Sequence, residues 1–131
     1  MGRCVIDALK SRTNYIGSSG RNDYEITESE SVLGNPFAAD YREYLEEIGL
    51  VCYDGHELTG ITAVARLNVV TVTKEQRAYF GDEVSEWYVI ELANIFGIVI
   101  WQDSAGYIYE TMPGRKTIKI ANSLTEYILQ E

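Results

Sequence analysis

At Gly49 the chain changes its periodicity, and that change constrains the fold more than any other feature of its 131 residues. Before it, Phe37, Tyr41, Tyr44, Leu45 and Ile48 recur at the three- and four-residue steps that line one stripe of a helix, while Asp40, Arg42, Glu43, Glu46 and Glu47 fall off that stripe. Asn35 is a favoured N-cap, Pro36 suits a first helical turn, and Gly49 stands where a left-handed residue closes a helix at least cost. The spacing predicts an amphipathic helix from Pro36 to Ile48 with one face buried. Beyond Gly49, short β-branched and aromatic runs alternate with turn residues, which is strand texture.

The remaining elements follow from the same signals. Val5, Ile6 and Leu9 mark a short first helix, and Ser11 to Asp23, with Gly17-Ser18-Ser19-Gly20 at its centre, reads as a polar loop. Thr27 with Glu30 three residues on predicts a capping box and one or two helical turns to Leu33. Residues 68–73 favour a strand by propensity, whereas Lys74 to Phe80 is good helix material; the reading is a helix from Asn68 to Phe80, ended by Gly81. Trp87–Leu92, Gly97–Gln102, Tyr107–Thr111 and Thr117–Ile120 predict an antiparallel meander, and Ser123 with Glu126 opens a closing helix with Leu124, Tyr127 and Ile128 on one face. The fold class is α+β: one domain over residues 1–131, with an antiparallel sheet of about four to six strands flanked by helices at the N-terminus, middle and C-terminus.

The turn after Gln102 governs which side chains share a face. With Ser104, Ala105 and a left-handed Gly106 as a three-residue loop, Asp103 opposes Tyr107 and Trp101 opposes Tyr109 on one face, and Ile98, Ile100 and Ile108 lie on the other. The aliphatic face suits helix packing, which leaves the aromatic face as the more accessible one. A two-residue loop would slip the register and mix the two sets.

Composition excludes several function classes. Twenty acids against eleven bases give a net charge of −9, which repels nucleic acids and anionic lipid, keeps a protein soluble, and attracts a basic partner. The start reaches Asp7 before any apolar run forms, so a secretory leader is not expected, and the longest apolar stretch, Ile95 to Trp101, falls far short of the roughly 20 residues that span a bilayer. Cys4 and Cys52 lack the spacing of a disulfide framework or a zinc site, so free thiols in the cytoplasm, no metal and no cofactor are the expectation. Cys52 and His56, with Asp54 between, suggest a nucleophile and its base, making a Cys/His hydrolase the remote alternative. No nucleophile elbow or phosphate loop accompanies them, and the chain is read as no enzyme.

Four fragments in order, Asp40-Tyr41-x-x-Tyr44-Leu45 ending at Gly49, Glu91-Leu92-Ala93-Asn94-Ile95-Phe96-Gly97, Asp103-x-x-Gly106-x-Ile108-Tyr109, and Ser123-Leu124-x-Glu126-Tyr127-Ile128, resemble the SUKH superfamily of bacterial immunity proteins and Knr-type fungal cell-wall regulators. The resemblance runs roughly from Tyr24 to Gln130. Two departures stand out: Pro36 precedes Tyr41 by five residues, where the family usually has a Leu-Pro pair three before its tyrosine, and a single glycine follows the helix. The resemblance implies a binding protein without catalytic residues, an immunity protein or antitoxin that neutralises a polymorphic toxin, often a nuclease, by occluding it in a one-to-one complex. The fungal members imply the alternative, a cytosolic regulatory interaction domain on the same fold. The expected contact residues are the loop acids Asp54 and Glu57, the cluster Asp82, Glu83 and Glu86, and the sheet aromatics Trp101 and Tyr109, on a monomer or weak dimer facing a basic toxin domain.

Overall fold

The computed structural model describes residues 4–130. Their helices are α1 (Cys4–Lys10), α2 (Asp23–Leu33), α3 (Ala39–Glu47), α4 (Val69–Phe80) and α5 (Leu124–Leu129). The strands are β1 (Ile16–Gly17), β2 (Val51–Tyr53), β3 (His56–Leu58), β4 (Tyr88–Leu92), β5 (Val99–Gln102), β6 (Ile108–Thr111) and β7 (Ile118–Ala121). Single 3₁₀ turns precede and follow α4, at Ala65–Leu67 and Gly81–Val84. All seven strands form one antiparallel sheet in sequence order, and the architecture is α+β. The sheet exceeds the expected count because β1, an exposed two-residue edge strand on β2, lies inside the segment read as a polar loop.

The stripe of α3 is buried as its spacing predicts, with Phe37, Tyr41, Tyr44, Leu45 and Ile48 all in the core. Each tyrosine of the stripe keeps a hydrogen-bond partner. Tyr44 donates to the Thr59 carbonyl at 2.8 Å, and the Tyr41 hydroxyl lies 2.8 Å from Thr59 Oγ1. Burial raises the pKa of both phenols. The helix starts differently from the prediction: α3 begins at Ala39, its N-cap Ala38 has no capping side chain, and Asn35 instead accepts a bond from Arg77. The orphan N–H groups ahead of the helix find long-range acceptors, Phe37 on Glu30 Oε2 and Ala38 on the Tyr88 hydroxyl, each at 2.8 Å. At the far end Gly49 is left-handed, with φ 78°.

The capping box of α2 is Asn22 with Glu25, not Thr27 with Glu30. Thr27 is exposed within the helix, and Glu30 turns outward to receive Phe37 and Arg42. Helix α4 begins where expected, with Asn68 Oδ1 accepting from Val70 and Thr71, and this cap decides the 68–73 ambiguity for helix. The β5–β6 register is also as expected: Trp101 opposes Tyr109, and Gly106 is in the positive-φ region at 106°.

The two faces of the sheet are covered unequally. Ile100, Ile108, Tyr88 and Leu58 meet α1, α2, α3 and α5 in the main core. The opposite face holds a smaller cluster of Val72, Val84, Val89, Val99 and Trp101, roofed by α4 and the 3₁₀ turn after it. That roof overturns the expected accessibility of Trp101, which is 0% exposed and donates through Nε1 to Thr111 Oγ1 at 2.8 Å. Among the described residues no helix is long and apolar enough to cross a membrane.

Candidate interaction surface

The smaller cluster is open along one margin. Trp87 and Tyr109 stack there at 4.0 Å with nearly parallel rings, and Phe80 meets Trp101 edge-on at 6.2 Å from the other side. Tyr79, itself edge-on to Phe80 at 4.9 Å, projects from α4 with 66% of its surface exposed. Next to these rings, Gln76, Tyr79 and Phe80 of α4, Gly97 of the β4–β5 loop and Pro113 of the β6–β7 turn line a shallow groove of about 240 Å³. Its lining is mostly apolar, and exposed patches of this kind mark interaction sites. The Tyr109 phenol donates to Asp103 Oδ2 at 2.9 Å; desolvation and that carboxylate push its pKa up to about 12.

Beside this margin the 3₁₀ turn carries Asp82 and Glu83, with Glu86 just beyond, all exposed. Among the described residues these three acids have no ion pair. Much of the remaining acidity is differently employed. Eight of the twenty acids fall between Asn22 and Leu50 against one base, Arg42, yet that arginine alone engages Asp23, Glu30 at 3.0 Å and Glu46 at 3.4 Å. Asp40 accepts from Gln102 Nε2 at 3.0 Å and from the Leu124 N–H at 2.8 Å, and Glu25 closes the α2 cap. These carboxylates hold the fold together.

The expected contact residues therefore separate. Asp82, Glu83 and Glu86 lie with Tyr109 around the open margin; Trp101 lies beneath it and presents nothing to a partner. Asp54 and Glu57 sit on the β2–β3 hairpin and are internally paired, Asp54 with Arg12 at 2.7 Å and Glu57 with Arg66 at 2.7 Å. The Arg66 hydrogen bond lowers the Glu57 pKa. Tyr79, Phe80 and Trp87 at this margin, and the exposed Phe96 of the β4–β5 loop, were not among the residues expected from sequence. The available signal was Asn94-Ile95-Phe96-Gly97, where turn residues bracket two large apolar ones.

The Cys52–His56 arrangement is not a catalytic pair. The two-residue turn at Asp54-Gly55, with φ 47° and 82°, sets Cys52 opposite Glu57 and Tyr53 opposite His56. Cross-strand partners share a face and neighbours alternate, so the thiol and the imidazole project to opposite sides. His56 instead stacks on Tyr53 and places Nδ1 2.8 Å from the buried Glu91, whose other oxygen receives the Tyr127 hydroxyl at 2.5 Å. Cys52 is a free thiol, and among the described residues no group of His, Cys, Asp and Glu side chains is arranged to hold a metal ion.

The model of the SUKH_5 family, described as SMI1-KNR4 cell-wall, matches residues 3–131. The chain belongs to this family. No curated protein matches it in sequence. As a SUKH_5 member it has the family match across nearly its whole length, including α1 and β1, beyond the Tyr24 to Gln130 reach of the resemblance.

Proposed function

We propose that the protein is an immunity protein that binds a cognate basic toxin, most simply a nuclease, and neutralises it by covering its working surface in the cytoplasm. The observation that carries this reading is the juxtaposition of an open aromatic margin with three exposed acids, Asp82, Glu83 and Glu86, that no cation among the described residues engages. Rings at the margin supply anchoring area, and unengaged carboxylates steer a basic partner into place. The chain's net charge of −9 adds a long-range field of the same sign. No catalytic residue is assigned; inhibition follows from occlusion alone. Protection of a cell by stoichiometric capture requires a Kd of about 1 nM or below.

The test is co-expression with the C-terminal domain of a toxin encoded beside this chain. Restored growth is the expected result, and growth arrest despite folded, abundant protein would overturn the reading. The cell-wall wording of the family description favours a second reading, a regulatory interaction domain using the same surface. That reading predicts a cell-wall phenotype on deletion and no rescue from any neighbouring toxin.

A further inference from the structure

The tip of the β4–β5 loop is held in a conformation its side chains disfavour. Asn94, Phe96 and Gly97 all have positive φ, at 62°, 55° and 70°, and only the glycine adopts this region without steric cost. A phenylalanine there strains the backbone, and strain of this kind persists where function selects it. The loop is nonetheless closed at its base: Ala93 donates to the Ile98 carbonyl at 3.1 Å and Ile98 to the Ile95 carbonyl at 3.0 Å. What this geometry achieves is exposure. Phe96 is 76% exposed and Ile95 54%, two of the largest apolar side chains in solvent. Gly97, the next residue, lines the groove with Tyr79 and Phe80, and the acids of the 3₁₀ turn follow Phe80 directly in the chain.

We propose that Phe96 is the anchor of the partner interface, preorganised to enter an apolar pocket rimmed by Lys or Arg on a basic protein. The proposal deepens the immunity reading and rests on it. A backbone already held in the pose that presents the ring loses little freedom on association, and a buried aromatic at the centre of an interface dominates its energy. The charge of the occupant follows from the neighbouring side chains: Asp82, Glu83 and Glu86 are unengaged, whereas Arg115 on the facing turn is neutralised by Glu110 at 2.7 Å, leaving Lys116 as the exposed cation of that turn.

The strain itself supplies a clean test. Phe96→Gly removes the ring and relieves the backbone, and Phe96→Asn removes the ring while keeping a residue that tolerates positive φ. Each variant and the unaltered chain are titrated by calorimetry against the purified C-terminal toxin domain encoded beside this chain, with melting temperatures measured in parallel. The expected result is affinity weaker on the order of 100-fold for both variants, through faster dissociation, with a melting temperature unchanged or raised. Tyr24→Ala, at an exposed ring of α2 outside the groove lining, keeps full affinity. Binding within about threefold of the unaltered chain in both Phe96 variants would overturn the anchor and leave the immunity reading standing. Failure of the unaltered chain to bind would remove both.

Discussion

The α2–α3 layer and the margin of the smaller cluster differ in what their acids do. In the layer, carboxylates are dense and committed: Arg42 gathers three of them, Asp40 ties α3 to β5 and α5, and Glu25 caps α2. At the margin, three carboxylates are sparse and unengaged, beside rings that α4 covers only in part. Charge density is thus a poor guide to where a partner is met. The useful quantity is charge left over after the fold has taken its share, because a surface pair already satisfied has little attraction to offer a newcomer.

The comparison breaks most visibly at the roof of the smaller cluster. Trp101→Ala should cost about 3–5 kcal/mol in chemical denaturation, since it empties the cluster's centre and orphans Thr111. A loss below about 1 kcal/mol would mean that the face is open after all. Next comes Asp40→Ala, expected to cost about 1–3 kcal/mol by leaving the Leu124 N–H and one of the two Gln102 Nε2 hydrogens without an acceptor. Replacing Arg42 by Met should cost about 1 kcal/mol, and should cost less in high salt, because the arginine is partly exposed.

At the margin the expectation reverses. Replacing Asp82, Glu83 and Glu86 together by Gln should leave stability within about 0.5 kcal/mol, yet slow association with a basic partner about tenfold at low salt, as stopped-flow would record. An unchanged rate would place the steering charge in the helical layer. The smallest effect is a titration. The Tyr109 pKa is raised to about 12, so its neutral form contributes stability that is fully present below pH 10 and is lost as pH rises through about 12. In an absorbance difference between the unaltered chain and Tyr109→Phe, the missing phenol should titrate near pH 12, not 10.

Much of the fold was legible because periodicity and caps are local. The α3 stripe, the Asn68 start of α4, the β5–β6 register and the closing helix each depend on residues a few positions apart. The misreadings involve distance or brevity. Asn35 lost its capping role to a tertiary contact with Arg77, 42 positions away, and β1 is too short to show alternation. Asp40 looked like part of a solvated face because its partners stand 62 and 84 residues on. Of the candidate surface, the exposure of Asp82, Glu83 and Glu86 and the face taken by Tyr109 were legible, whereas Trp101 misled because a strand pattern says which face a ring takes and not what lies over it. Phe96 escaped because the bracketing turn residues mark a turn there, whereas its exposure follows from a positive φ that is unusual for phenylalanine.

The bond from Leu124 to Asp40 also has a consequence for timing. The sheet grows by adding each new strand beside the last, so hairpins can form as the chain is synthesised. Helix α3 is different: its Asp40 carboxylate is bonded by a residue 84 positions on, and α1 and α5 pack on one another across almost the whole described chain. The helical layer therefore closes on a contact made between distant parts of the chain. Contacts that span the chain in this way are paid for in loop-closure entropy, so the helical layer carries the high-contact-order part of the fold while the sheet carries the local part.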